Sequence, residues 1–138
     1  FEAVAAMDDL PELLGTADIV ASFLPSSPAT RGLADASFFD ACAPDAIFAN
    51  GGRGDLVDSP ALIAALESGH LAGAALDVTD PEPLPPDSPL WDAPGILITP
   101  HVSGGFHLPA VLDNITDIAA ENIGHLRAGE PIRNAVAR

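Results

Sequence analysis

Four near-continuous apolar runs, at residues 19–24, 46–49, 72–78 and 96–99, do most to limit what this chain can fold into. None alternates apolar with polar, and a short unbroken run is the pattern of a strand covered on both faces. Residues 1–6 are a candidate fifth strand. Helical patterns lie between the runs. Asp8 or Asp9 can cap a segment that sets Leu10, Leu13 and Leu14 on one face. Ser59-Pro60 is a helix start, because proline suits the first helical turn; Leu62, Ile63 and Leu66 form its apolar stripe and Gly69 its stop. A longer helix is expected after Pro109, with Leu112, Ile115, Ala119, Ile123 and Leu126 on its buried side, ending near Gly129. Strands and helices alternating through short links build a parallel sheet by right-handed crossovers, so the fold class is α/β.

The segment 80–94 breaks this rhythm. Its six prolines, at 81, 83, 85, 86, 89 and 94, forbid a helix or a central strand and predict an extended surface loop. The 138 residues amount to one domain's worth of chain, with 48% apolar residues to fill a core and no internal repeat. No apolar run reaches the roughly 20 residues of a membrane helix, and no secretory leader pattern opens the chain. Cys42 is the single cysteine, so no internal disulfide can form. These features predict a soluble, cytoplasmic protein. The net charge of −15 sets 20 acids against five arginines, with no lysine. That balance disfavours nucleic acid and anionic membranes, which are bound through clustered basic groups. It also makes an arginine in a cleft a scarce feature. Phe1 is not an initiator methionine, and the chain starts without a turn signal, as a fragment would.

In parallel sheets ligands sit outside the carboxyl ends of the strands. Asn50-Gly51-Gly52-Arg53-Gly54, Asp77-Val78, Glu82-Pro83 and Thr99-Pro100-His101 all fall there. Arg53 stands among glycines, which permit positive φ and close ligand approach. Its guanidinium either grips a carboxylate through two parallel hydrogen bonds or pairs with one of the many acids to close a turn. Asp77 ends an apolar strand, where it can accept from a ligand amide or cap the next turn. Glu82, between two prolines, is either a rigid carboxylate that favours an imidazolium beside it or one more solvated acid. His101 is the best general acid–base candidate, because histidine titrates nearest neutrality. His107 could line the same mouth, whereas His70 and His125 read as surface residues at helix ends. A metal site from Asp77, Glu82, His101 and His107 is disfavoured, since its ligands lack the tight pairing of zinc motifs. No G-x-S-x-G occurs, which argues against a serine hydrolase.

An ordered set of motifs covers nearly the whole chain: Ala17-Asp18-Ile19-Val20, Leu24-Pro25, Thr30-Arg31-Gly32, Asn50-Gly51-Gly52-Arg53-Gly54-Asp55-Leu56-Val57-Asp58, Ala75-Leu76-Asp77-Val78, Glu82-Pro83-Leu84-Pro85, Pro89-Leu90-Trp91 and Thr99-Pro100-His101. Together they resemble the D-isomer-specific 2-hydroxyacid dehydrogenases, as do the intervals of 29 residues from Arg53 to Glu82 and 19 from Glu82 to His101. The resemblance implies a partial doubly wound, Rossmann-like parallel sheet with flanking helices. It implies NAD(H) or NADP(H) as cofactor, a small 2-oxo or 2-hydroxy acid as substrate, and a homodimer when complete. Arg53 would hold the substrate carboxylate and carbonyl, His101 would protonate the carbonyl oxygen, and Glu82 would keep His101 protonated. Asp77 would hydrogen-bond the nicotinamide carboxamide, and Leu24, Gly51, Gly52, Ser103 and Gly104 would border the cofactor together with Arg53 and His101.

The departures are equally specific. No G-x-G-x-x-G follows a strand, so the chain carries no pyrophosphate cradle or ribose-binding acid, and no substrate domain is recognisable. Thr79 stands where an aromatic residue is more usual in the family. Residues 1–138 therefore read as the C-terminal part of a nicotinamide-binding domain, with 107–138 as its C-terminal helix region. Such a piece alone is expected to bind cofactor poorly and turn over nothing. The competing reading is a non-catalytic nicotinamide-sensing or dimerisation module derived from such an enzyme. Retention of Arg53, Glu82 and His101 together argues against it, because a pure binding module needs no proton donor.

Overall fold

A computed structural model describes residues 4–105 and 108–135. Four strands, β1 (Ile19–Ser22), β2 (Ala46–Asn50), β3 (Leu71–Leu76) and β4 (Ile96–Ile98), form one parallel sheet in the order β1-β2-β3-β4. Each observed strand lies within two residues of its apolar run, and β1 and β3 stop two residues short of theirs. Residues 4–6 are not a strand, and the rest of the candidate fifth strand lies outside the described residues.

α1 (Leu10–Leu14) precedes β1, while α2 (Ala36–Ala41) joins β1 to β2 and α3 (Ser59–Glu67) joins β2 to β3. Asp9 stands at the N-cap of α1 without a side-chain capping bond. Asp35 caps α2 by accepting from the Phe38 amide, and Asp58 caps α3 by accepting from the Ala61 amide. Gly69, just past α3, has φ +73°, the left-handed value that a helix stop requires. The core lies against one sheet face. Phe38, Phe39 and Phe48 meet edge to face with centroids 5.3–5.9 Å apart, and Phe48 and Leu62 are fully buried. Cys42 is buried there too; its thiol reaches the Phe38 carbonyl, and burial pushes it up from the ordinary thiol value.

Two expectations about burial are corrected. The strands are not covered on both faces: register aligns Ile19 with Ile47, and Ala21, Ala49, Ala75 and Leu97 in one row, on a face where Ile19 and Leu97 are 65% and 63% exposed. The second concerns α4 (Pro109–Ala128), whose apolar stripe Leu112, Ile115, Ile123 and Leu126 is exposed rather than buried. Apolar patterning shows that a face avoids water; it does not say what covers it. The loop 80–94 also holds more order than its prolines predict. Pro89–Asp92 make a 3-10 turn that buries Leu90, and the Trp91 indole N–H donates to the Pro85 carbonyl at 2.8 Å.

The chain divides into two compact units, Phe1–Ser103 and Gly104–Arg138. In the second, α4 ends at Gly129 in the left-handed conformation, as its sequence predicts. Asn122 is bonded to the backbone of Arg133 in both directions, and His125 Nδ1 pairs with the Pro131 carbonyl. Among the described residues no helix is long and apolar enough to cross a membrane.

Candidate functional site

The site grows from three strand ends. Asn50, the last residue of β2, is fully buried, and its side chain shapes the turn that follows. Its amide nitrogen donates to the Arg53 carbonyl at 2.9 Å, and its side-chain oxygen accepts from the Gly52 amide at 3.1 Å. The glycines of this turn do not supply the positive φ that their sequence permits. None of Gly51, Gly52 and Gly54 has positive φ. A Cβ on Gly52 would lie 2.5 Å from the Leu24 carbonyl oxygen, and one on Gly54 would collide with the Thr79 backbone. At Gly52 and Gly54 neighbouring backbone passes too close for a side chain, whereas Gly51 meets the Phe23 ring.

That crowding presents Arg53 outward. Its Nη1 donates to the Gly52 carbonyl at 2.8 Å, and among the described residues no carboxylate pairs with it. Arg31, by contrast, is held by Asp55 at 3.0 Å. Arg53 lines a hollow of about 300 Å³ with Arg31, Asp55, Thr79, Asp80 and Glu82.

Asp77 leaves β3 with its carboxylate buried and fully engaged. Oδ1 accepts from Thr99 Oγ1 at 2.5 Å and the Val102 amide at 2.9 Å; Oδ2 accepts from the Ser103 amide at 3.0 Å and Ser103 Oγ at 2.7 Å. Burial works to raise its pKa, but these four hydrogen bonds outweigh it and hold the carboxyl well below the usual range. The Asp77 carbonyl also accepts from the His101 amide at 2.8 Å.

His101 Nδ1 lies 2.7 Å from Glu82 Oε1, and both side chains are a little under half exposed. A carboxylate at Nδ1 orients the ring and holds a proton on that nitrogen, leaving Nε2 to face the hollow. Among the described residues Nε2 has no partner. His101 and Glu82 line a hollow of about 370 Å³ with Asp77, Thr79, Thr99 and Trp91. A third hollow, about 210 Å³, lies against the open sheet face and is lined by Phe23, Gly51, Asp77, Leu97, Thr99 and Ser103. Shared walls join the three: Thr79 and Glu82 link the Arg53 hollow to that of His101, and Asp77 and Thr99 link the latter to the third.

The structure thus brings Arg53, Glu82, Asp77 and His101 around adjoining hollows, with Gly51 and Ser103 beside them. Leu24 lines a different hollow with Val20, Phe38 and Leu56, and Gly52 packs on the Leu24 backbone instead of facing a cavity. Gly104 belongs to the second unit, and His107 lies outside the described residues. His70 has a structural bond, its Nε2 meeting the Cys42 carbonyl at 3.0 Å. Among the described residues no cluster of three His, Cys, Asp or Glu could hold a metal ion. Sequence reasoning assigned no role to Asn50 or Thr99; a polar residue ending an apolar strand was the available signal for both.

Residues 1–103 match the family described as D-isomer specific 2-hydroxyacid dehydrogenase, NAD binding domain. The glyoxylate/hydroxypyruvate reductase B of Citrobacter koseri is 41% identical over 128 residues, which are 93% of this chain and 39% of that protein. A D-isomer specific 2-hydroxyacid dehydrogenase from Xanthobacter autotrophicus, solved with NADPH and MES, is 43% identical with a TM-score of 0.81, over 95% of this chain and 52% of that one. An NADPH-dependent glyoxylate/hydroxypyruvate reductase from Sinorhizobium meliloti, solved with NADP and sulfate, is 31% identical with a TM-score of 0.80, over 96% and 42%. The chain spans about two-fifths of the length of the curated relatives it matches.

Proposed function

This chain belongs to the D-isomer-specific 2-hydroxyacid dehydrogenase family, and on that premise we propose that it supplies the proton-donating and substrate-gripping groups of a nicotinamide-dependent 2-oxo acid reductase. The observation that carries this reading is the 2.7 Å contact between Glu82 and His101, beside an arginine that no described carboxylate neutralises. Residues 1–138 form the later part of the nicotinamide-binding domain, and 107–138 its C-terminal helix region.

Arg53 takes the carboxylate of a small 2-oxo acid, two N–H donors meeting two oxygens, and turns the adjacent carbonyl toward His101. His101 Nε2 gives its proton to the carbonyl oxygen, while Nδ1 stays bonded to Glu82, whose charge supports the imidazolium before transfer. A bound nicotinamide would supply the hydride; the protein's own groups orient the reactants and balance charge. Hydride on carbon and proton on oxygen convert the 2-oxo acid into the 2-hydroxy acid.

The residues present fit one end of that cofactor. The hollow of about 210 Å³ offers apolar Phe23 and Leu97 to a flat ring, with Gly51, Asp77 and Ser103 at its polar edge. For the other end, no G-x-G-x-x-G occurs in the chain. Glyoxylate and hydroxypyruvate are the substrates to test first, because relatives bear those names. A homodimer is expected for the native protein, to be read by light scattering.

The test uses the full-length native protein with glyoxylate or hydroxypyruvate and NADH or NADPH, following nicotinamide absorbance. Turnover yielding the D-hydroxy acid is expected from hydroxypyruvate. Cofactor binding without turnover of either acid would overturn the reading in favour of a sensing module.

A further inference from the structure

His101 is not a relaxed residue. Its φ is +54°, in the left-handed region that non-glycine residues seldom occupy. Such a backbone persists where its surroundings over-determine it. Here they do so from both sides. Thr99, two residues before, and Val102 and Ser103, directly after, all send donors to the one carboxylate of Asp77. The His101 amide itself is bonded to the Asp77 carbonyl at 2.8 Å and the Thr99 carbonyl at 3.0 Å. A carboxylate has about four acceptor positions, and four donors use them. The imidazole is the part of His101 left outside this network, and it meets Glu82.

We propose that Asp77, Thr99 and Ser103 form a clamp that holds the left-handed turn at His101 and so aims its imidazole at Glu82, with Thr99 and Ser103 as positioning residues. The proposal rests on reading His101 as the proton donor, but the clamp itself is a matter of geometry. Thr99 Oγ1 and Ser103 Oγ reach no part of the imidazole; they act through Asp77 on the backbone that carries it. Losing one hydroxyl frees one end of the turn and lets the imidazole leave Glu82. The proton donor is then misplaced, although Arg53 and its grip on substrate are untouched.

Thr99→Val removes the hydroxyl at nearly constant shape, Thr99→Ser keeps it, and Ser103→Ala removes the second hydroxyl while retaining the amide donor. In the full-length native protein, the imidazole Hδ1 resonance of His101 reports the bond to Glu82 without any need for turnover. This downfield signal is expected in wild type and Thr99→Ser, and expected to be lost or broadened in Thr99→Val and Ser103→Ala. With a 2-oxo acid, kcat should fall about ten- to a hundredfold in Thr99→Val, with KM nearly constant and recovery in Thr99→Ser. An unchanged Hδ1 signal in both hydroxyl-deleted variants would overturn the clamp. So would equal damage in Thr99→Ser and Thr99→Val, which would point to packing. If Thr99→Val does not fold, Ser103→Ala decides by the same signal. Absence of reductase activity in every form would remove the functional reading, and the resonance would still judge the clamp.

Discussion

Two sets of polar groups share the carboxyl edge of this sheet, and they differ in how far the fold has satisfied them. Asp77 and Asn50 are buried, and their side chains are spent on the loops around them. Glu82, His101 and Arg53 are substantially exposed, and among the described residues each side chain makes one bond, that of Arg53 to a backbone carbonyl. Asp77 and Glu82 make the contrast sharpest, since they lie on one connection and carry the same charge. Asp77 answers four donors within the protein, whereas Glu82 answers one and passes its influence to a titratable ring facing the hollow. The saturated groups fix where the loops run; the others keep bonding capacity toward the hollows they line. A buried acid at a strand end is therefore no sign of catalysis until its partners are counted.

Substitutions test that division. Replacing the partner of His101 acts on turnover: Glu82→Gln keeps the shape but removes the charge behind His101, and kcat should drop about 10²-fold, with thermal stability almost unchanged because the pair is half exposed. A large loss of stability instead would move Glu82 into the structural set. Arg53→Gln comes next. It should cost about 1.5–3 kcal/mol in kcat/KM, the worth of hydrogen bonds to a charged group, chiefly through KM for the 2-oxo acid. Unchanged KM would mean that the substrate carboxylate is held elsewhere.

Asp77→Asn should act first on the fold, lowering urea-unfolding stability by about 1–3 kcal/mol as donors lose their acceptor. Its pH dependence has a definite sign. The folded carboxyl sits below its ordinary value, so its stabilisation is complete above about pH 4 and declines as acid protonates it in the folded state. The gap between wild type and Asp77→Asn should accordingly narrow below about pH 4. A gap that stays constant down to strong acid would contradict the saturated carboxylate.

The unsaturated set was the more legible in sequence. Arginine, glutamate and histidine at successive strand ends are conspicuous because apolar runs announce the strands and the sheet's topology places their ends together. Asn50 and Thr99 were harder, because their meaning lies in bonds to a turn still to be formed and to a carboxylate 22 residues away. The turn glycines were read for positive φ, which they do not adopt; the crowding by Leu24 and Thr79 is a property of packed neighbours, which no local pattern encodes. The short α2 escaped notice since six residues give less than two turns of periodicity, although Asp35 was a cap signal. The open sheet face and the exposed stripe of α4 show the converse limit, where the apolar pattern was correctly read and the cover was not specified by it.

The central claim is that the Glu82–His101 pair delivers the proton. Its most direct test is kcat for glyoxylate or hydroxypyruvate in the full-length native protein with His101→Gln, at saturating cofactor. A fall of about 10²–10⁴-fold is expected, with nicotinamide binding and folding retained. A kcat near that of the wild type would contradict it, and would leave His101 a strained but dispensable residue on a well-built loop.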